Sequence, residues 1–372
     1  MKAIYRYTNE LQKLKDSSNY RILPENTDNK LVDLCSNDYL GLNNDDQLYA
    51  KFIESNQSKN LKFSASSSRL LSGNLLEHKE LEELIAACFQ RESCLLFNSG
   101  YHANIGILPS LADKNDLIIA DKFVHASIID GAKLSAANLI RYKHLDYNHL
   151  ERLLDKHRAD YEHVFIVSES VFSMDGDVAD LQKLVEIKQK YKCYLYVDEA
   201  HAVGTRGENG LGCVEEVKVI KDVDFIVGTF GKALASVGAY VVCDAVFKEY
   251  MINKSRSLIF TTALPPINIA WTKFIFERLT DFENRRTQLK HISKQVAQLM
   301  NTEAQSHIIP YVIGSNKDAI AISNKLKEQG FNILPIRYPT VPKGTARLRF
   351  SLNSDLKFEQ LKAMKQIMDS NA

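Results

Sequence analysis

The sequence is poor in the residues that staple a chain or carry it through a membrane. Six cysteines are scattered through 372 residues, from Cys35 to Cys243, and none stands in a C-x-x-C pair. That spacing argues against a disulfide framework or a metal site and reads as reduced thiols in a cytoplasmic protein. No run approaches the roughly 18 apolar residues of a membrane span. The first residues, MKAIYRYTNELQKLKDSSN, lack the apolar stretch of a secretory signal. Charge of one sign is also missing: 47 basic residues stand against 46 acidic ones, a formal charge of +1. A protein that covers nucleic-acid phosphates carries a clear basic excess, so neither nucleic acid nor membrane is expected as a partner.

What remains is an ordinary globular composition, 45% apolar and 25% charged, which excludes disorder or a coiled coil as the main state. At about 150 residues per domain the length allows two or three domains. The charge is uneven: from Lys273 to Ala372 there are 16 Lys and Arg against 9 Asp and Glu. This reads as a solvated basic face, or as a C-terminal domain that attracts an anionic substrate carrier.

Short apolar runs at Leu95–Phe97, Leu117–Ala120, Val164–Val167, Tyr194–Val197, Phe225–Gly228 and Tyr240–Cys243 read as strands buried on both faces. Amphipathic stretches lie between them, as in LLEHKELEELIAACF, Leu150–His157 and Leu181–Tyr191. The alternation predicts a mainly parallel sheet with helices on both faces. Beyond Pro265-Pro266 the pattern changes. One long helical region over 268–300 is expected, then strands near 308–312, 332–335 and 346–351, with helices near 317–329 and 356–368: a smaller α+β domain. The expected division is an N-terminal segment 1–40, a large domain 41–270 and a small domain 271–372. On the strand at 346–351, Arg347 and Arg349 are read as facing opposite sides, one the crevice and one solvent.

In a parallel sheet, ligands bind at the carboxyl ends of the strands. YLYVDEAH places Asp198 at such an end, with His201 three residues on; DFIVGTFGK places Thr229 at the next, with Lys232 three residues on. LLFNSGYHAN ends a strand at Ser99-Gly100-Tyr101 and opens a helix, whose free N–H groups and dipole suit a phosphate. Each residue alone has an ordinary structural reading: a turn-capping Asp, a structural His, a solvated Lys. Together they are what pyridoxal phosphate needs. The lysine forms a Schiff base with its aldehyde, the carboxylate keeps the ring nitrogen protonated so that the ring accepts carbanion electrons, and the helix terminus holds the phosphate. The Asp198-Glu199-Ala200-His201 box also occurs in one helicase class, but that reading requires a G-x-x-x-x-G-K-[ST] loop. The sequence GTFGKA has the wrong spacing and carries Ala233 where Ser or Thr is needed.

Nine motifs in order resemble the α-oxoamine synthase family of fold-type-I pyridoxal-phosphate enzymes. They are SNDYLGL from Ser36, SRLLSGN from Ser68, FNSGYHAN from Phe97, DKFVHASIIDGAKLS from Asp121, VFSMDGD from Val171, VDEAHAVG from Val197, GTFGKALAS from Gly228, FTTALPP from Phe260 and TVPKGTARLR from Thr340. The resemblance implies a large α/β domain with a mainly parallel seven-stranded sheet sandwiched by helices, plus the small C-terminal domain. It implies that Lys232 holds the cofactor and moves the substrate's α-proton, and that Asp198 pairs with the ring nitrogen. His201 and Ser173 would meet the phenolic oxygen, and His125 would stack on the ring. Gly100, Tyr101 and Thr229 would bind the phosphate. Thr261 and Thr262 resemble the segment that reaches the phosphate of a neighbouring subunit, so a homodimer is implied. Arg349, with Asn37 nearby, would take the amino-acid carboxylate; Arg21 and Thr340 fall where the family contacts substrate.

The implied reaction is a decarboxylative condensation of an amino acid with an acyl thioester. The motifs look most like the branch that joins L-alanine to a pimeloyl thioester, on CoA or acyl carrier protein, for biotin. The branch that joins glycine to acetyl-CoA tends to show Asp-Ser at Glu199-Ala200 and Cys at Gly100. Some relatives are non-catalytic partner subunits that lack the Schiff-base lysine; Lys232 is present here.

Overall fold

The structure is a computed structural model that describes residues 2–23, 31–57, 60–303 and 305–369. It divides into two compact units, one of Asp38–Ser173 and Asp177–Gln288, the other of Met1–Asn37, Met174–Gly176 and Leu289–Ala372.

The larger unit is built on a seven-stranded sheet. Across the sheet the strands are Ser93–Phe97, Ala239–Cys243, Phe225–Thr229, Tyr194–Asp198, Val164–Glu169, Leu117–Asp121 and Asn138–Tyr142. Six run in one direction; Ala239–Cys243 is antiparallel to both neighbours. The inner strands are buried throughout and apolar up to their last residues, because both faces are covered. Asn138–Tyr142, sequence NLIRY, escapes that signature: it lies at the sheet edge, and four of its five residues are only half-buried or exposed. Helices cap with side chains where the sequence supplies them. Ser99, Asp146 and Asp180 accept the N–H groups of His102, His149 and Lys183 at 3.1, 2.8 and 2.9 Å.

The expected 268–300 helix is broken into Pro266–Phe276, a 3-10 turn Leu279–Phe282 and Glu283–Leu299. The sequence between Phe276 and Glu283 contains neither Pro nor Gly. The break is held by tertiary bonds: the buried Arg286 guanidinium donates to Leu279 O at 2.6 Å and Glu208 O at 2.8 Å. The helices Gly100–Leu111 and Ala126–Leu134 approach closely at Gly131, where a Cβ would lie 2.3 Å from Asn104 O.

In the smaller unit, Ala346–Ser351 is the middle strand of an antiparallel sheet between Pro335–Ile336 and Ile308–Gly314. Val32–Asp33 pairs in parallel with Phe331–Asn332, so the N-terminal segment joins the C-terminal third. Helices Asn316–Glu328 and Phe358–Asp369 complete an α+β unit. The opposed arginines of the sequence reading are corrected here. Side chains two apart on a strand share a face, and the register from Arg347 to Arg349 is regular. Both are buried. Arg347 pairs with Asp175, while Arg349 donates to Asn37 Oδ1 at 3.3 Å and to Ser351 Oγ, two residues further on that face, at 2.6 Å. Neither faces solvent.

His144 ties down the loop that follows Leu117–Asp121. Its Nδ1 lies 2.8 Å from Asp121 Oδ1 and its Nε2 3.0 Å from Asp177 Oδ2, with the ring stacked on Phe123. Burial opposes the charged ring, but the two carboxylates outweigh it and raise the imidazole to about 9. A raised histidine stabilises the fold fully below its unfolded value near 6.5 and loses that contribution as pH rises through about 9. His144→Gln should therefore cost about 2 kcal/mol at pH 6, and much less above pH 9.5, when melting is followed in both variants across that range.

Candidate active site

The one-way strands deliver their last residues to a single edge. Glu169, Asp198 and Thr229 end three neighbouring strands. Gly100 opens its helix just beyond the carboxyl end of Ser93–Phe97, and a Cβ on it would meet the Thr229 side chain at 3.7 Å. Helix N-terminus and hydroxyl thus adjoin, as a phosphate cradle requires. Thr229 Oγ1 donates to Gly238 O at 3.0 Å. Lys232 follows on a tight loop closed by Phe230 N–H to Gly238 O, Ser236 N–H to Phe230 O and Ala235 N–H to Lys232 O, each 2.9 Å.

The lysine amine is engaged. Its Nζ lies 2.9 Å from His201 Nε2, and His201 Nδ1 lies 2.6 Å from the hydroxyl of the fully buried Tyr39. A neutral imidazole carries one proton for two nitrogens. If Lys232 is an ammonium, it donates to Nε2 and the ring donates from Nδ1 to Tyr39. If its nitrogen offers a lone pair, Nε2–H donates to it and Tyr39 donates to Nδ1. The chain Tyr39–His201–Lys232 can therefore run in either direction.

Asp198 is buried and held on both oxygens, Oδ1 by Ala200 N–H and Oδ2 by Asn104 Nδ2, each at 2.9 Å. Asn104 Nδ2 also donates to Ser127 Oγ at 2.8 Å, and its Oδ1 accepts from Tyr196 OH. Both faces of that amide are used, so its orientation is fixed. His125 caps the helix Ala126–Leu134, with Nδ1 accepting from Ser127 N–H at 3.3 Å. Burial keeps the imidazole below its usual range; Asp198 raises it and Lys232 lowers it, so His125 feels both groups. The backbone N–H of His125 donates to Glu169 Oε1 at 2.5 Å.

Glu199, the second residue of the DEAH box, is structural. Buried completely, it accepts from Ser170 Oγ, Cys213 N–H and Val214 N–H, which seats the short helix Cys213–Glu216. Burial raises its carboxyl to about 7 against those donors.

Of the residues singled out from sequence, Lys232 touches His201, Gly100 adjoins Thr229, and Asp198 and Lys232 both act electrostatically on His125. Tyr101 follows Gly100 and donates to Asp130 Oδ2 at 2.8 Å. Ser173 is buried beside the turn closed by Phe172 N–H and Asp177 O. Thr261 Oγ1 and Thr262 O accept from Asn98 Nδ2 of the same chain at 3.1 and 2.7 Å. The remaining four belong to the smaller unit and form two pairs, Arg349 with Asn37 and Arg21 with Thr340 Oγ1 at 3.2 Å. Tyr39, Asn104 and Glu169 were not singled out. Asn104 carried a readable signal, four residues after Gly100 on one helix face, and Glu169 ends a strand just as Asp198 does.

The arrangement fits pyridoxal phosphate on the chemistry of its donors: an amine, a carboxylate with both oxygens held, an imidazole that feels the charge of both, and an open helix terminus. The sequence matches the family "Aminotransferase class I and II" over residues 29–364. A protein of Glaesserella parasuis named "Putative 8-amino-7-oxononanoate synthase" is 53% identical over 94% of this chain and 96% of its own. A Haemophilus influenzae protein of the same name is 50% identical over 96% and 98%. Among solved structures, serine palmitoyltransferase from S. paucimobilis, bearing a PLP–myriocin adduct, superposes with a TM-score of 0.88 at 27% identity, covering 98% of this chain and 96% of that one. The 8-amino-7-oxononanoate synthase of Francisella tularensis gives a TM-score of 0.78 at 31% identity, covering 92% and 98%.

Removing the Tyr39 hydroxyl isolates the relay. Tyr39→Phe should lower stability by about 1 kcal/mol and change the nitrogen shifts of His201 in ¹⁵N-histidine NMR. Unchanged His201 shifts would mean that the ring does not depend on Tyr39.

Proposed function

Because the chain belongs to the class I and II aminotransferase family and, within it, to the α-oxoamine synthases, we propose that it condenses L-alanine with a pimeloyl thioester to give 8-amino-7-oxononanoate, carbon dioxide and free thiol. The chain is a pyridoxal-phosphate-dependent enzyme of that group. The observation that carries the reading is the Lys232 amine, 2.9 Å from His201 Nε2, on the sheet edge that also presents Asp198 and the Gly100 helix terminus.

Pyridoxal phosphate supplies an aldehyde for amines and a protonated ring that accepts the electron pair of the α-carbon. Lys232 Nζ is the amine that would hold the cofactor and, when free, would take the α-proton. His201 orients that nitrogen, and its relay to Tyr39 lets the same contact serve both charge states. Asp198 holds the proton on the ring nitrogen, and Asn104 and Ala200 N–H hold Asp198. His125 would cover the ring. The N–H groups at Gly100 and Tyr101 and the Thr229 hydroxyl would hold the phosphate, and Ser173 would join His201 at the phenolic oxygen. Thr261 and Thr262 are assigned to the phosphate of a second copy, which makes the working unit a homodimer. Arg349, steadied by Asn37, is assigned to the amino-acid carboxylate, which suits a planar guanidinium; Arg21 and Thr340 are assigned to the acyl substrate. The acyl carrier is CoA or acyl carrier protein.

Two measurements test this reading. Chain purified from cells supplied with cofactor should be yellow, and borohydride should fix the cofactor's mass on Lys232; Lys232→Ala should lose that adduct. A colourless chain would favour the partner-subunit alternative. In a thioester panel, L-alanine with pimeloyl thioester should exceed glycine by roughly 10-fold or more, the discrimination one methyl allows. Faster turnover of glycine with acetyl-CoA would move the chain to that branch.

A further inference from the structure

Glu169 has no part in the chemistry above, yet it lies at its centre. It is the Cα partner of Asp198 across neighbouring parallel strands. Paired residues of a parallel ladder project to the same face, with strands about 4.8 Å apart. Both carboxyls are buried, Glu169 to 2% exposure and Asp198 to 5%. Two like charges so close and so dry do not both ionise cheaply. The donors are shared unequally: Asp198 receives two N–H groups on its two oxygens, whereas the bond to the His125 backbone is the one found for Glu169 among the described residues.

We infer that Glu169 is a positioning residue of this site, held as the neutral acid so that Asp198 carries the only negative charge at the ring nitrogen's place while Glu169 fixes the backbone of His125. The inference rests on the cofactor reading above for what it positions, though not for its own protonation. The groups that bear on Glu169 agree with it. Burial raises its carboxyl most, Asp198 and Asp121 add to this, and Lys232 and the His125 N–H oppose them, leaving the group at about 8. Asp121 is itself bound to His144 at 2.8 Å. The role explains why a carboxylic side chain suits this strand end. An anion here would compete with Asp198 for the ring's proton, and an aliphatic residue would leave the His125 N–H without an acceptor.

The test reads Glu169 directly in the full chain, with and without cofactor. Infrared difference spectra between the unmodified chain and Glu169→Gln should show a protonated-carboxyl carbonyl stretch at pH 6.5 that titrates near pH 8, separate from the band that Glu199→Gln removes, which titrates near pH 7. In samples labelled with ¹⁵N-histidine, the His125 amide should keep its downfield proton shift in Glu169→Gln, which still offers an oxygen, and lose it in Glu169→Leu. The sign of the stability effect follows. A glutamate raised in the folded state is increasingly penalised as pH rises from its unfolded value through about 8. The melting temperature of the unmodified chain should therefore fall relative to Glu169→Gln over that range. Absence of the acid band at pH 6.5, or equal His125 shifts in the Gln and Leu variants, overturns the inference, and the band test stands even if the Leu variant does not fold. A chain that shows the band but takes up no pyridoxal phosphate overturns the functional reading instead.

Discussion

The direction of the strands is the constraint on which the site depends. A side chain at the carboxyl end of a parallel strand is held by the ladder behind it and open to the ligand before it. Six of seven strands share that direction, so the crossover connections between neighbouring strands bring Glu169, Asp198 and Thr229 to one edge. The antiparallel strand Ala239–Cys243 matters for the same reason. By lying antiparallel to both neighbours it restores the common direction at Ser93–Phe97 and turns the Gly100 helix terminus toward Thr229. Were Ser93–Phe97 reversed, the helix terminus would sit at the opposite edge, away from Thr229 and Asp198.

Much of this was readable from the residues. Apolar runs without alternation announce strands covered on both sides, and the core strands follow them closely. Asn138–Tyr142 was invisible because an edge strand needs little apolar surface, and NLIRY offers little. The helix break after Phe276 was invisible for another reason. No Pro or Gly marks it; a buried arginine bonded to Leu279 O within the break and to Glu208 O, 78 residues away, holds it. A strand's period of two places Arg347 and Arg349 on one face, and the bond from Arg349 to Ser351 continues that face. At the site, residues with reactive side chains stood out, whereas Tyr39 and Asn104, which act on other side chains, did not.

Those supporting residues show how the site keeps its charges in order. Asn104 spends both N–H groups and its carbonyl on Asp198, Ser127 and Tyr196, so one amide fixes the acid and the segment that carries His125. Burying an amide costs free energy unless all its groups are satisfied, and a satisfied network specifies one arrangement. Glycine at 131 lets the helix bearing Asn104 lie against the helix that His125 caps. A methyl group there would push the two apart and loosen both ends of the network at once.

Burial also sorts the acids by task. Glu199 and Asp198 are adjacent in sequence, both buried, yet alternate strand-end geometry sends one to a helix terminus and the other to the open edge. Glu199 meets two backbone N–H groups and a serine, a structural set of donors. Asp198 meets an asparagine and one backbone N–H while remaining beside the lysine's loop. The same box that in another protein would hold a magnesium ion here divides into a strut and a site residue. What decides is the donors each carboxyl meets in the fold, because the four letters of the box are identical in both cases.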